Sequence, residues 1–278
     1  MRVAAVEDRL ALVVNGQAVD VAEASGGRFD ADPQAVYERW EEFRGWAATA
    51  PAAAGRPLDG LALTAPVPRP RQVFAIGVNY ADHAAETAMD LPEIPLTFTK
   101  FPSCLTGPDA TVALPSDRVD WEVEMVVVIG AAARAVEEAK GWDQVAGVTV
   151  GQDLSERRVQ FLGGASPQFS LGKSYPGFGP IGPVITSPDE LPDRDDLELG
   201  CRLNGERVQS GRTRQLIYSV PSLVHRLSAV VTLYPGDLIF TGTPAGVGFA
   251  RDPQVFLKPG DVLESWVEGV GTLVTKLA

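Results

Sequence analysis

The segment Val119-Asp120-Trp121-Glu122-Val123-Glu124-Met125 alternates polar and apolar residues, then runs into an apolar stretch at 126–129. Alternation with period two predicts a β-strand, whose side chains leave on opposite faces in turn. Glu122 and Glu124 therefore share a face at the head of a core segment. Two carboxylates so placed repel each other unless a positive charge lies between them. A hard divalent cation, which takes oxygen ligands, is the simplest such charge. Asp153 closes a second apolar strand predicted at 145–150. Where the two strands are neighbours, three carboxylates converge. With no His or Cys close in sequence, that set suits Mg²⁺, Mn²⁺ or Ca²⁺ better than zinc. Three protein ligands leave positions for a chelating substrate and water. The competing reading is a solvated strand face with its charges outward, and spacing alone weighs the two evenly.

Three further segments carry candidate chemistry. In Asn79-Tyr80-Ala81-Asp82-His83-Ala84-Ala85-Glu86, His83 and Glu86 are three apart and share a face of any helix formed there. Such a pair can act as a general base, although for the segment taken alone a plain helix start with Asp82 favouring its dipole is the preferred reading. Lys173 lies in Leu171-Gly172-Lys173-Ser174-Tyr175, inside a Gly/Pro-rich loop. It could neutralise an oxyanion or a substrate carboxylate, or simply be a solvated loop lysine. Thr241-Gly242-Thr243-Pro244-Ala245-Gly246-Val247-Gly248 could offer backbone N–H groups to an anion. It lacks both the P-loop ending and the dinucleotide spacing, so an ordinary glycine-rich turn competes. His225, beside an apolar helix stripe, reads as a surface or interface histidine. No pairing argues for a nucleophilic Cys104 or Cys201.

The elements that must position these residues divide the chain in two. Residues 1–65 read as a small appendage. Two short strands lie within 3–20 around Asn15-Gly16, a strong hairpin signal. A helix follows Asp32-Pro33 with Val36, Trp40, Phe43 and Ala47 on one face. The stretch 51–57 is expected to be weakly structured, and Pro66-Val67-Pro68-Arg69-Pro70 to be a stiff linker. Residues 71–278 are β-dominated. A strand is predicted at 73–78, and a hairpin closes at Asn204-Gly205 between 197–203 and 206–209. Pro235-Gly236-Asp237 and Pro259-Gly260-Asp261 feed strands at 238–240 and 262–266. Ser219-Val220-Pro221 starts a helix burying Leu223, Val224 and Leu227, and a second helix is predicted at 137–145. Without a long alternation of strands and helices, a doubly wound parallel sheet is disfavoured. The expected class is α+β, mostly β and mostly antiparallel, with a few peripheral helices.

Bulk composition removes several function classes. The 278 residues carry 24 Lys and Arg against 36 Asp and Glu, a formal net charge of −12. That leaves no cationic excess for nucleic-acid phosphates and no attraction to an anionic membrane. Two cysteines do not make a disulfide framework, so a reducing compartment is expected. Glu7 and Asp8 interrupt the N-terminus before a signal-peptide core could build, and no run reaches membrane-span length. A cytoplasmic protein is expected. A glycosidase is disfavoured, because carboxylates two apart on a strand form one patch and do not flank a bond.

Taken in order, these motifs resemble those of the fumarylacetoacetate hydrolase family. The likeness is to its bacterial branch of 2-hydroxyhepta-2,4-diene-1,7-dioate isomerases, acylpyruvate hydrolases and diketo sugar-acid hydrolases. It rests on residues 76–86, on Asp120-Trp121-Glu122-Val123-Glu124, on Asp153-Leu154-Ser155-Glu156-Arg157, on Leu171-Gly172-Lys173-Ser174 and on 241–248. It covers essentially everything after Pro70. The resemblance implies a mixed β-roll behind the small N-terminal α/β appendage, and a homodimer. It implies Mg²⁺ or Mn²⁺ held by Glu122, Glu124 and Asp153, with Ca²⁺ able to take that place in a crystal. His83 and Glu86 would activate water, and Lys173 would meet the substrate's developing negative charge. Gln160, Thr243 and Tyr80 would contact the substrate. The implied reaction is metal-dependent hydrolysis of a carbon–carbon bond in a small anionic β-diketo (2,4-dioxo) acid through a metal-bound enolate. Isomerisation or oxaloacetate decarboxylation would use the same groups, and a non-catalytic binding module is the alternative outside enzymes. The chain departs from the pattern at three places. Val78 stands where some acylpyruvate-cleaving relatives carry an arginine, and Arg158 where many have an acidic residue. The segment 161–170 has no counterpart and is expected to shape specificity.

Overall fold

Every residue of the two central strands, Val123–Ile129 and Val145–Gln152, is buried. Apolar runs of this kind belong to strands covered on both faces, and alternate residues do enter different cores. Met125, Val127 and Ile129 pack with Val148, Leu223 and Val224, while Val126 and Val128 pack with Trp40, Phe43 and Phe240. In the computed structural model, residues 1–49, 55–87, 93–164 and 166–278 are described.

The central pair lies in a 12-stranded mixed sheet. Its path runs Arg56–Pro57, Gln17–Asp20, Arg9–Val14, Arg2–Val6, Gly179–Thr186, Val145–Gln152, Val123–Ile129, Leu238–Phe240, Val73–Gly77 and Leu96–Thr99. A five-stranded sheet adds Glu206–Arg212, Glu198–Leu203, Val262–Val267, Gly271–Leu277 and Asp109–Val112. Val119–Asp120 pairs separately with Ser155–Glu156. The fold is α+β and mostly β, as expected. Three parallel pairings were not foreseen: Leu238–Phe240 with Val73–Gly77, Gly271–Leu277 with Asp109–Val112, and Gly179–Thr186 with Leu105–Thr106.

The N-terminal part differs in detail from expectation. Residues 3–20 span three strands, not two. Asn15 and Gly16 turn in the left-handed region at φ 49° and 74°, and Glu7 and Asp8 make a second such turn at 51° and 61° without any glycine to mark it. The helix after Pro33 is a 3-10 turn, Ala35–Arg39, followed by the α-helix Trp40–Ala47, because Arg39 leaves helical geometry at φ −128°, ψ 32°. Of the stretch 51–57, residues 51–54 lie outside the described residues, while Arg56–Pro57 is a short strand beside Gln17–Asp20. Across the expected boundary at 66–70 the sheet is continuous, since Arg2–Val6 hydrogen-bonds to Gly179–Thr186. The helix expected at 137–145 is 3-10, Glu138–Gln144. The helix Val220–Val230 is capped by Ser219, as its sequence requires. No described helix is long and apolar enough to cross a membrane.

Strand directions gather the candidate residues. Val123–Ile129 is antiparallel to both Val145–Gln152 and Leu238–Phe240, and Leu238–Phe240 is parallel to Val73–Gly77. The start of the first strand therefore meets the ends of the other three. Glu122 and Glu124, Asp153, the loop at 241–249 and the helix Ala81–Glu86 emerge at one edge. Gly179–Thr186 is antiparallel to Val145–Gln152, so its start, with the Lys173 loop before it, reaches the same edge.

Candidate active site

One carboxylate oxygen from each of Glu122, Glu124 and Asp153 lies within 4.8 Å of the other two, and all three residues are buried. They are not a solvated strand face. The Lys173 ammonium, 2% exposed, donates to Glu122 Oε2 and Asp153 Oδ2 at 2.7 Å each. A solvated loop lysine is thereby excluded as well. Two cations that sequence reasoning missed complete the floor of the site. Lys100 Nζ donates to Asp153 Oδ1 at 2.6 Å and to the carbonyl oxygens of Lys173 and Phe178. Arg157 donates to Asp120 Oδ2 at 2.6 and 2.9 Å, to Glu122 Oε1 at 2.7 Å and to Gln160 Oε1 at 2.8 Å.

Four carboxylates of the floor face three cations, and the imbalance falls on Glu124. Its Oε2 accepts only the Gly242 N–H, at 2.7 Å, with no ion-pair partner among the described residues. Burial, then Asp153 and Glu122, push its pKa well above the usual carboxylate range. Glu122 is equally buried, yet Lys173 and Arg157, followed by His83, outweigh burial and hold it at about 2. An all-oxygen donor set with one unbalanced buried charge fits a hard divalent cation. Such a cation would share Glu122 and Asp153 with the Lys173 ammonium.

His83 and Glu86 come together on the helix Ala81–Glu86, Nδ1 lying 2.7 Å from Oε1. Glu86 Oε2 accepts the Gly246 N–H at 2.8 Å. With a carboxylate at Nδ1, the proton belongs on that nitrogen, and Nε2 is left as the basic one. The glycine-rich loop, which the sequence left between an anion-binding loop and an ordinary turn, gives its N–H groups to the chain's own carboxylates. Gly242 serves Glu124, Gly246 serves Glu86, and Gly248 and Phe249 serve Asp120 at 2.8 and 2.9 Å. A Cβ at Gly246 would lie 2.1 Å from the Val208 carbonyl oxygen, and φ there is 114°, so only glycine allows this approach.

Above the floor lies a cavity of about 220 Å³, lined among others by His83, Glu122, Arg157, Gln160, Lys173 and Thr243. This is below the roughly 300–1,000 Å³ of drug-sized sites and suits a small metabolite. Gln160 keeps its Nε2 free of partners among the described residues. Thr243 Oγ1 donates to Val123 O and accepts from Gln209, both at 2.8 Å. Tyr80, expected at the substrate, does not line the cavity. It is fully buried, its hydroxyl has no partner among the described residues, and burial pushes its pKa up. Val78 does line the cavity, at φ 55°, a conformation that strains a β-branched residue. Asn79 pins that turn: its side chain donates to the Thr241 and Tyr218 carbonyls and accepts the Tyr218 N–H. Phe161 and Phe169, from the segment 161–170, line the cavity too; Ala165 of that segment lies outside the described residues. Arg158 points away and pairs with Asp117, while His225 Nδ1 sits 2.7 Å from Val136 O. Cys104 and Cys201 are free and buried.

Residues 72–278 match the family model for the fumarylacetoacetate hydrolase C-terminal region. The chain belongs to the fumarylacetoacetate hydrolase family. Mitochondrial oxaloacetate tautomerase FAHD2A of Homo sapiens is 42% identical over 223 residues, covering 80% of this chain and 71% of that protein. A crystal structure from Mycobacterium smegmatis, of a protein named for HpcE, matches with TM-score 0.96 at 53% identity, covering 100% of this chain and 99% of that one. Maleylpyruvate hydrolase from Sphingobium sp. SYK-6, solved with manganese(II) and pyruvate, matches with TM-score 0.82 at 30% identity, covering 100% and 99%. Members of the fumarylacetoacetate hydrolase family among these relatives are enzymes, and this chain is one of that kind.

Proposed function

We propose that the protein is a divalent-metal-dependent hydrolase of a small 2,4-dioxo acid, cleaving the bond between C3 and C4. The observation that carries this reading is the His83–Glu86 pair, which puts a carboxylate-oriented imidazole on the wall of the same cavity as Glu122 and Lys173. A divalent cation held by Glu122, Glu124 and Asp153 would supply Lewis acidity toward the 2-oxo and carboxylate oxygens of the substrate. The manganese and pyruvate bound to the maleylpyruvate hydrolase support that assignment.

The chain's own groups do the rest. His83 Nε2 takes a proton from water, and Glu86, fixed by the Gly246 N–H, steadies the imidazolium that results. Hydroxide adds to the C4 carbonyl, and Lys173 Nζ balances the oxyanion. The C3–C4 bond then breaks with its electron pair passing to C3, giving a carboxylic acid and the enolate of pyruvate. C3 takes back the proton carried by His83. Gln160 Nε2 is placed to hold the substrate by a hydrogen bond.

A second reading has its own observation, the 42% identity to proteins named oxaloacetate tautomerase. Moving a proton at C3 needs His83 and Lys173 but no attacking water. Turnover by metal-stripped protein, with and without Mg²⁺ or Mn²⁺, separates the two. The substrates are acetylpyruvate, fumarylpyruvate, a 2,4-diketo-3-deoxy sugar acid and oxaloacetate. Metal-dependent loss of diketo absorbance supports hydrolysis. Reaction of oxaloacetate alone supports the second reading, and metal binding without any turnover sinks both.

A further inference from the structure

The cavity has two unlike sides. Beside the charged floor stand four half-buried phenylalanines from three segments: Phe98, Phe161, Phe169 and Phe249. Phe98 and Phe169 meet edge to face at 5.5 Å and 73°, Phe161 and Phe169 at 5.8 Å and 79°, and Phe161 and Phe249 tilt together at 5.3 Å and 31°. Rings arranged like this, each keeping part of its surface uncovered at a cavity, offer face and edge contacts to another flat apolar group.

The cations of the cavity are already engaged. Among the described lining residues three can be positive. Arg157 is spent on Asp120, Glu122 and Gln160, Lys173 on Glu122 and Asp153, and His83 on Glu86. Arg118, which has no carboxylate partner among the described residues, does not line the cavity; it lies in a neighbouring groove, with Arg158, that shares Arg157, Phe161 and Phe249 with the cavity. Within the cavity, a second carboxylate at the far end of a substrate would be stripped of water against phenyl rings, with no uncommitted cation among the described lining residues to meet it.

Resting on the hydrolase reading, we infer that the group carried on C4 is uncharged, apolar and flat. The favoured substrates are then aroyl 2,4-dioxo acids, and dicarboxylic ones are disfavoured, with Phe161 and Phe169 as specificity-determining residues.

The test compares kcat/KM of the metal-loaded wild type for benzoylpyruvate, acetylpyruvate and fumarylpyruvate. Benzoylpyruvate should lead acetylpyruvate by at least about tenfold, and fumarylpyruvate should come last. Fumarylpyruvate equal to or above benzoylpyruvate overturns the inference and leaves the hydrolase reading standing, whereas no cleavage of any of the three removes both. Phe161→Ala should lower the benzoyl-to-acetyl ratio roughly tenfold and Phe161→Leu by less. A ratio unchanged in both variants also overturns the inference. Because each ratio is taken within one preparation, a loss of folded protein cancels from it.

Discussion

On the floor of the cavity Arg157 is held by Asp120 and Glu122, Lys100 by Asp153, and Lys173 by Glu122 and Asp153 together. The aromatic wall beside it is made of four uncharged rings leaning on one another. The two meet at a seam where Lys173 Nζ lies 5.4 Å from the centre of Phe98 and Arg157 Cζ 5.7 Å from that of Phe249. Buried ions tolerate little displacement, because each carries a desolvation cost that only its partner offsets. Apolar contacts are non-directional and can be exchanged at modest cost. On the proposed function, the floor would then fix which bond is made or broken, and the wall would set which molecule arrives.

If that division holds, changes to the floor act on chemistry and folding together, and changes to the wall act on choice. The largest effect belongs to His83→Ala, which should lower hydrolysis by about 10²–10⁴ without changing the preference among acyl groups. A variant that keeps its turnover would end the assignment of His83 as base. Glu86→Gln should lower hydrolysis by less than His83→Ala does while sparing oxaloacetate decarboxylation, and equal loss of both would count against Glu86 as the partner of the base. Next comes Lys100→Met, which leaves Asp153 buried with one cation fewer. Denaturant unfolding should show a loss of about 3–5 kcal/mol, and a loss below about 1 kcal/mol would mean that the floor is not over-determined.

Acid should dismantle the floor selectively. The folded-state pKa of Glu122, about 2, lies below its ordinary 4.5. Its ionised form thus stabilises the fold above pH 4.5, and this contribution drains away as pH falls towards 2. The shift corresponds to about 3 kcal/mol. The stability difference between wild type and Glu122→Gln should shrink across that window. Glu124, raised and not lowered, works in the opposite sense, and because the Glu122 charge is one of the causes raising it, part of its contribution stays in the difference. A difference independent of pH would mean that the ion pairs do not stabilise the floor. The smallest effect is that of Phe161→Ala on folding, within about 1 kcal/mol for a half-buried ring; an unfolded variant would mean the wall is structural.

The same contrast explains how much the sequence disclosed. Glu122 and Glu124 were legible because period-two alternation puts them on one face whatever the strand pairs with. His83 and Glu86 were legible because three residues make nearly one helical turn, and Asn204-Gly205 because a two-residue turn constrains its residue types. Lys100 was not, since its partner Asp153 is 53 residues away and Thr97-Phe98-Thr99-Lys100 carries no pattern of its own. Nor was the insertion of Leu238–Phe240 between two distant strands, which alone brings Gly246 to Glu86. The pairing of Arg2–Val6 with Gly179–Thr186 was hidden for the same reason: edge partners are chosen by tertiary packing. The aromatic wall fell on residues without a motif, and apolar contacts leave none.

The central claim is that the carboxylate cluster is a cation site which Lys173 shares without being needed to build it. The most direct test is a Mn²⁺ binding isotherm for Lys173→Ala beside wild type, with turnover measured on the same samples. Mn²⁺ should bind the variant at least as tightly, because a competing ammonium has gone, while turnover falls about 10²–10³. Loss of Mn²⁺ binding, or turnover near that of wild type, would contradict the claim.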